Sequence, residues 1–278
     1  MTELELPHGL RALHFHPERR GAPIVALHGW LDNAMSFAAL AETLERPLIA
    51  LELPGHGHSA WLPAGSWYHL LDNLEVLLAA LDHLKLERTC LLGHSMGGAL
   101  ASILAGALPA RIDRLLLIEA LGPLSYAAEQ GPTHLARALA ERAGFKDKQR
   151  RVFDDPNRAI AARMQANGLS EPAARALIER ALEAVPGGYR WRSDPRLTVP
   201  SVYRLTEPQV LAMLRAIKSP TLFIHATPET DVFKLGDLGA RRSAVSDLTS
   251  IALPGHHHLH MESPEPVGAA INAFLRPV

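Results

Sequence analysis

A lone serine stands between two glycines in the stretch LLGHSMGGAL over 91–100, where an apolar run gives way to small residues. Between a strand and a helix, a G-x-S-x-G pattern forms a sharp turn that holds the serine side chain above the sheet. Glycine is needed on both sides because the helix start passes too close to the strand for a Cβ atom. Unpaired N–H groups at the start of that helix favour negative charge on the hydroxyl. The pattern predicts that Ser95 is a nucleophile that attacks a carbonyl carbon.

Histidines are concentrated close to the C-terminus, where His256, His257, His258 and His260 follow the apolar run TSIALPG over 249–255. Histidine is the side chain that most often removes the proton of a reacting group. Histidine-rich tracts also bind Zn²⁺ or Ni²⁺, but a structural metal site requires spaced ligands and supporting hydrogen bonds. A contiguous run on one tight loop does not easily aim three rings at one ion. We therefore expect a general base in this loop and no metal site.

Short apolar runs that alternate with helical patterns must position these residues. Six runs have the length and two-sided apolar character of strands in a buried parallel sheet. They are residues 22–29, 47–55, 89–95, 114–122, 220–226 and 249–255. Leucines at helical spacing predict a helix over 66–84, and Ser263 followed by Pro264 predicts the start of another over 263–275. The alternation predicts an α/β fold with a doubly wound, mostly parallel sheet and a site at the carboxyl ends of its strands.

One long segment departs from this alternation. Between residues 122 and 218 there is no strong strand pattern, and helical sequence rich in Ala, Arg and Glu takes its place. An insertion of this kind between two strands is typical of a cap over the strand ends. We predict a core of residues 1–121 and 219–278, with a helical cap of residues 122–218 inserted between strands six and seven.

Composition and charge exclude several classes of partner. The chain has 278 residues and a formal net charge of −1, which gives no electrostatic reason to expect binding to nucleic acid or an anionic membrane. No run approaches ~18 apolar residues, so we expect no membrane span. The N-terminal residues lack a signal-peptide pattern, which predicts a cytoplasmic protein. Cys90 is the only cysteine, so no intrachain disulfide forms, and the sequence makes no prediction of the oligomeric state.

Four stretches of the chain resemble the α/β-hydrolase superfamily, in the same order and over nearly the whole length: LHGWLDN, LELPGHGHS, GHSMGGALA and PGHHHLHMESPEPV. The stretch GGYRWRSDPRL over 187–197 is similar to the serine hydrolase-like branch of that superfamily. The resemblance implies an oxyanion hole formed by the main-chain N–H groups of Trp30 and Met96. It also implies that the base lies five residues before Glu262, which selects His257, with His256 as the alternative.

The carboxylate that orients this histidine is open among three residues. The usual place in the family is the loop after TLFIHA, which offers Glu229 and Asp231, although Ala226 stands where a glycine is expected. The end of the preceding strand offers Glu119, in an IEA sequence that resembles haloalkane dehalogenases, which take their acid from that strand. We place Glu119 first, Asp231 second and Glu229 third. The acid's role is to hold the histidine tautomer and stabilise the imidazolium.

Together these residues predict a serine hydrolase that cleaves a carboxylic ester of a small to medium, largely apolar substrate through an acyl-enzyme at Ser95. Carbon–carbon bond hydrolysis and thioester hydrolysis use the same groups and stay as alternatives, and some members of the fold bind ligands without catalysis. The mechanism requires neither a metal nor an organic cofactor. We expect His56, His58 and His94 to hydrogen-bond loop carbonyls without transferring protons. Candidates for lining the substrate pocket are cap residues Leu124, Tyr126, Phe153, Trp191 and Tyr203.

Overall fold

The computed structural model describes residues 1–147, 152–230 and 237–276. Its strands are β1 (Thr2–Glu5), β2 (Arg11–Phe15), β3 (Ile24–Leu27), β4 (Leu48–Glu52), β5 (Thr89–His94), β6 (Ile112–Ile118), β7 (Val152–Phe153), β8 (Leu182–Val185), β9 (Gly188–Trp191), β10 (Thr221–Thr227) and β11 (Leu248–Pro254). Its α-helices are α1 (Ala38–Thr43), α2 (Asn73–His83), α3 (Met96–Ala107), α4 (Gly131–Ala143), α5 (Pro156–Asn167), α6 (Glu171–Ala181), α7 (Glu207–Ala216), α8 (Leu238–Ala244), α9 (Leu259–Glu262) and α10 (Pro264–Leu275).

Eight of these strands form one sheet in the order β1-β2-β4-β3-β5-β6-β10-β11. Strand β2 runs antiparallel to both of its neighbours, and the other neighbouring strands run parallel. The parallel strands β3, β5, β6 and β10 therefore all end at the same edge. That edge carries the loop with Trp30, the turn with Ser95 and the residue Glu119, each of which closely follows a strand.

Helices cover both faces of this sheet, which is why its central strands are apolar on both sides. Successive strand residues point to opposite faces. In β5, Leu91 packs in the same cluster as residues of α2, α3 and α7, whereas Leu92 packs in the cluster that contains residues of α1 and α10. The predicted doubly wound, mostly parallel sheet is confirmed.

The segment between β6 and β10 joins the sixth and seventh strands of the main sheet in chain order. It contains α4, α5, α6 and α7, but also a three-stranded antiparallel sheet in the order β7-β9-β8. The expectation of a purely helical cap is wrong in this respect. The sequence ALEAV extends the helical pattern of α6, yet its last four residues pair with β9, because tertiary pairing overrides a weak local helix preference.

Two further boundaries differ from the sequence prediction. Helix α7, assigned above to the cap, packs on α3 in the main core through Val210 and Leu214. Helix α2 begins at Asn73 rather than at residue 66, because the preceding stretch contacts the inserted segment, where the Tyr68 hydroxyl donates to Asp194 at 2.7 Å. The domain limits at 122 and 218 otherwise stay a prediction. Among the described residues, no helix has the length and apolar character needed to cross a bilayer.

Candidate active site

The turn between β5 and α3 places Ser95 at the carboxyl edge of the sheet. Ser95 has φ 51 and ψ −114, a strained conformation for a residue with a side chain. A Cβ atom on Gly93 would lie 2.4 Å from the Gly97 carbonyl oxygen, and one on Gly97 would lie 2.0 Å from the Leu27 carbonyl oxygen. Both glycines are therefore required by the close approach of α3 to the strands, as the sequence pattern indicated.

Ser95, His257 and Glu119 form a continuous hydrogen-bonded line. His257 Nε2 lies 2.9 Å from Ser95 Oγ, and His257 Nδ1 lies 3.2 Å from Glu119 Oε2. Because a buried carboxylate accepts at Nδ1, the Nδ1 atom carries the proton and Nε2 is left to accept from the serine hydroxyl. The neighbouring imidazole of His256, the alternative base, is exposed to solvent.

The Glu119 carboxylate is fully buried and held by three donors. Besides His257, the Ala226 N–H donates to Oε1 at 2.6 Å and the Thr230 hydroxyl donates to Oε2 at 2.5 Å. Burial opposes ionisation of this carboxyl, but the hydrogen bonds from His257, Thr230 and Ala226 outweigh it and lower the pKa of Glu119. An ionised Glu119 can stabilise an imidazolium.

The other two acid candidates have different fates. Glu229 is exposed, and its carboxylate lies 3.5 Å from Arg242, so the structure does not bring it to His257. Asp231 lies outside the described residues. Of the two described candidates, the structure brings Glu119 and not Glu229 to His257, and the assignment of the acid stays a prediction.

Two main-chain N–H groups are available beside Ser95 to bind a substrate oxygen. Met96 is the first residue of α3, so its N–H has no partner within the helix. Trp30 lies in the loop after β3, against which α3 packs, and its indole donates to the Leu197 carbonyl at 3.0 Å. Both residues line the same cavity as Ser95. That these two N–H groups form an oxyanion hole stays a prediction.

A cavity of about 920 Å³ opens above Ser95, between the sheet edge and the inserted segment. Leu124 and Tyr203, two of the predicted lining residues, contribute to its wall. The other three predicted residues are not among those that line it. Phe153 and Trp191 pack edge to face within the core of the inserted segment, and Tyr126 stacks on His134, which itself lines the cavity. Apolar lining residues that the sequence analysis did not single out are Leu70, Leu71, Ile103, Leu197, Val199 and Leu205.

The histidines around the site are mostly buried and neutral. Burial lowers the pKa of His56 to about 3, and the ring accepts a hydrogen bond from the Leu31 N–H. Burial and the three neighbouring imidazoles also hold the pKa of His94 well below its usual value. His94 Nε2 donates to the main-chain carbonyl of His257 at 2.8 Å. His58 is only partly buried and lies 3.3 Å from Glu3.

Sequence reasoning missed the buried ion pair between Asp32 and Arg163. Asp32, in the LHGWLDN stretch, accepts a hydrogen bond from Arg163 of α5 at 2.5 Å. Burial opposes ionisation of Asp32, but the adjacent His258 and Arg163 hold its pKa well below the ordinary value. The sequence shows Asp32 two residues after Trp30. It does not show that Arg163 is the partner of Asp32, because Arg163 lies 131 residues away on another element.

Comparisons with known proteins agree with this fold. The profile of the family described as alpha/beta hydrolase fold matches residues 22–264. A serine hydrolase-like protein of Dictyostelium discoideum is 29% identical over 93% of this chain and 76% of its own length. A probable serine hydrolase of Drosophila melanogaster is also 29% identical, over 98% of this chain and 86% of its own length.

Solved structures give the same result. A hypothetical protein of Pseudomonas aeruginosa PAO1 is 39% identical, with a TM-score of 0.88 and 98% of each chain covered. The thioesterase domain from the curacin biosynthetic pathway is 25% identical, with a TM-score of 0.80 and 97% of each chain covered.

Proposed function

The chain belongs to the α/β-hydrolase fold family, where it is similar to the serine hydrolase-like branch, and we propose that it cleaves carboxylic esters through an acyl-enzyme at Ser95. One observation carries the proposal: His257 joins Ser95 to Glu119 by hydrogen bonds, and Ser95 and Glu119 both line the cavity. A nucleophile within hydrogen-bond reach of a base that is itself oriented by a third group is the arrangement that covalent catalysis requires.

In the proposed reaction, Ser95 Oγ attacks the ester carbonyl carbon while His257 Nε2 takes the hydroxyl proton. The carbonyl oxygen gains negative charge and accepts hydrogen bonds from the N–H groups of Trp30 and Met96. The imidazolium is stabilised by ionised Glu119 and then gives its proton to the leaving alcohol. Water repeats the sequence on the acyl-enzyme and releases the acid. These steps use groups of the protein, the substrate and one water molecule.

The size and lining of the cavity support a substrate with a medium-sized apolar part. A volume of about 920 Å³ lies near the upper end of the ~300–1,000 Å³ that ligand pockets usually enclose. Its leucines and valine favour an acyl or alcohol group of several carbons over acetate. Thioester hydrolysis is the second candidate, because the curacin thioesterase domain is one of the similar structures.

Labelling with a fluorophosphonate probe tests the proposal directly. We expect the wild-type protein to be labelled at Ser95 and Ser95→Ala to remain unlabelled, with the modified residue identified by mass spectrometry. A correctly folded wild-type protein that resists labelling would instead favour a ligand-binding protein without catalysis. Hydrolysis of p-nitrophenyl esters and acyl-coenzyme A thioesters of matched chain length then distinguishes an esterase from a thioesterase.

A further inference from the structure

Four buried side chains from four separate parts of the chain meet behind His257. Asp32 comes from the loop after β3, His94 from the end of β5, Arg163 from α5, and His258 from the loop before α9. Each is less than a tenth exposed. We call these four residues the Asp32 cluster. None of them lines the cavity, so they do not contact a substrate bound above Ser95.

Arg163 supplies the positive charge that balances the Asp32 carboxylate. Its Nη2 atom donates both to Asp32 Oδ1 and, at 3.0 Å, to the Leu31 carbonyl. The second carboxylate oxygen, Oδ2, lies 3.4 Å from His258 Nε2 and 3.8 Å from His94 Nδ1. The side chains of Asp32, His94 and His258 converge as metal ligands would. The guanidinium, however, already provides the counter-charge, and burying a divalent cation beside it would be electrostatically costly.

Two members of the cluster hold the main chain of His257. The His257 carbonyl can only accept a hydrogen bond, so His94 Nε2, 2.8 Å away, must carry the proton. His94 Nδ1 is therefore bare in the neutral ring and faces the Asp32 side of the cluster. His258 is the next residue in the chain, and its imidazole contacts Asp32 directly. The backbone of His257 is thus held at two points: its carbonyl accepts from His94, and the next residue, His258, contacts Asp32.

The loop that carries Trp30 packs against the same carboxylate. A Cβ atom on Gly29 would lie 2.9 Å from Asp32 Oδ2 and 2.9 Å from His94 Nδ1. Only glycine leaves these two atoms undisturbed, so the loop position and the His94 position depend on each other. The buried Asp32 carboxylate therefore lies against four parts of the chain. They are the loop that carries Trp30, the end of β5 at His94, the loop that carries His257, and the inserted segment at Arg163.

We propose that Asp32 is a positioning residue for His257, acting through its contact with His258 and through the close packing of Gly29 against Asp32 and His94. This inference rests on the proposed function, because it assigns Asp32 to the accuracy of the same proton-transfer step. A misplacement of about 1 Å in a reacting group costs ~10²-fold in rate. The hydrogen bond of 2.9 Å between His257 and Ser95 has little tolerance for such a shift.

Asp32→Asn, which keeps the shape and removes the charge, is the first test. We expect the rate of fluorophosphonate labelling of Ser95 and kcat to fall by at least about tenfold, while KM changes less than about threefold because the cavity wall is untouched. The matched control is Glu52→Gln. Glu52 is equally buried and pairs with Arg180 of α6 at 2.7 and 2.8 Å, but it contacts neither His94 nor His258. We expect Glu52→Gln to lose stability and keep the wild-type labelling rate.

A readout that needs no turnover separates this proposal from the proposed function. The imidazole N–H shared by His257 and Glu119 should give a downfield proton NMR signal, identified by its loss in His257→Ala. We expect Asp32→Asn to broaden that signal by exchange with solvent and Glu52→Gln to retain it. If the wild type is never labelled at Ser95, the hydrolase proposal fails, and this signal still decides whether Asp32 positions His257.

His258 offers a second series if Asp32→Asn does not fold. His258→Ala removes the contact with Asp32, and we expect it to lower the labelling rate in the same way. His258→Gln places an amide N–H where the imidazole Nε2 stood, so it should recover part of the loss. Three results would overturn the proposal: an unchanged NMR signal in Asp32→Asn, an equal loss of labelling in Glu52→Gln, or activity abolished by EDTA and restored by Zn²⁺, which would make the cluster a metal site.

Discussion

Replacing Glu119 by glutamine is the substitution that probes the acid of the site most directly. The change keeps the size of the side chain, and the amide oxygen of the new side chain would still accept from the Ala226 N–H. The amide nitrogen would then occupy the place of Oε2, which now faces His257 Nδ1 and the Thr230 hydroxyl. Two donors, the amide and the Nδ1 proton, would confront each other.

The expected loss follows from that conflict. The imidazole is driven toward the tautomer with its proton on Nε2, which cannot accept the Ser95 proton, and the imidazolium loses its neighbouring charge. Removing the charge of a triad acid in this way costs up to ~10⁴-fold in kcat. A loss of ~10²–10⁴-fold corresponds to ~3–5.5 kcal/mol of transition-state stabilisation. Because the bond to Ala226 is kept and the Thr230 hydroxyl can turn to accept from the amide, we expect a much smaller effect on stability.

The assay is steady-state hydrolysis of one ester by Glu119→Gln, Asp231→Asn and Glu229→Gln, with the free energy of unfolding measured for each. Glu229→Gln is the control, because Glu229 is exposed and faces Arg242. If Glu119→Gln stays within tenfold of wild type while Asp231→Asn loses activity, the acid comes from the loop after β10 and the argument from Glu119 is refuted.

Three other outcomes are expected. Ser95→Ala should abolish ester hydrolysis with little change in melting temperature, and activity within tenfold of wild type would show another nucleophile. His257→Ala should remove nearly all turnover and exposed His256→Ala should keep it; the reverse would mean that the base is one residue earlier. Burial lowers the pKa of His56 and His260 to about 3 from 6.5 in the unfolded chain. Below pH ~6.5 the unfolded state therefore binds protons first, and at pH ~5 each ring should cost ~2 kcal/mol of stability. Urea unfolding that gives the same free energy at pH ~7.5 and ~5 would contradict this.

Features of the fold that depend only on a short stretch of sequence were predicted, and features that depend on contacts between distant segments were not. Five of the six apolar runs became the buried strands β3, β4, β5, β6 and β10, because a segment apolar on both sides can only be buried between two helical layers. The run over 249–255 became the half-exposed edge strand β11. The cap hairpin at β8 and β9 was missed because LEAV has helix-forming residues, and only pairing with β9 makes it a strand. Of the predicted lining residues, Leu124 and Tyr203 line the cavity whereas Phe153, Tyr126 and Trp191 do not, because aromatic content does not tell which face of a cap element is turned inward.

The sequence by itself determined the turn at Ser95 and the neighbourhood of the base. Gly93, Ser95 and Gly97 specify a backbone shape within five residues, so no distant contact is needed to recognise it. The family resemblance selected His257 by its spacing of five residues to Glu262, the last residue of α9. The assignment of Ser95, His257 and Glu119 as catalytic stays a prediction until the variants are measured.

Only the tertiary structure decided which charged groups meet. Glu119 lies 138 residues before His257 in the chain, and the two meet because β6 and β11 flank β10 and end at the same edge of the sheet. Asp32 meets Arg163 because α5 docks on the loop after β3. Local patterns report backbone conformation and burial. The partner of a buried charge is instead chosen by docking of distant segments, where the gain of an ion pair must outweigh the loss of water around both groups.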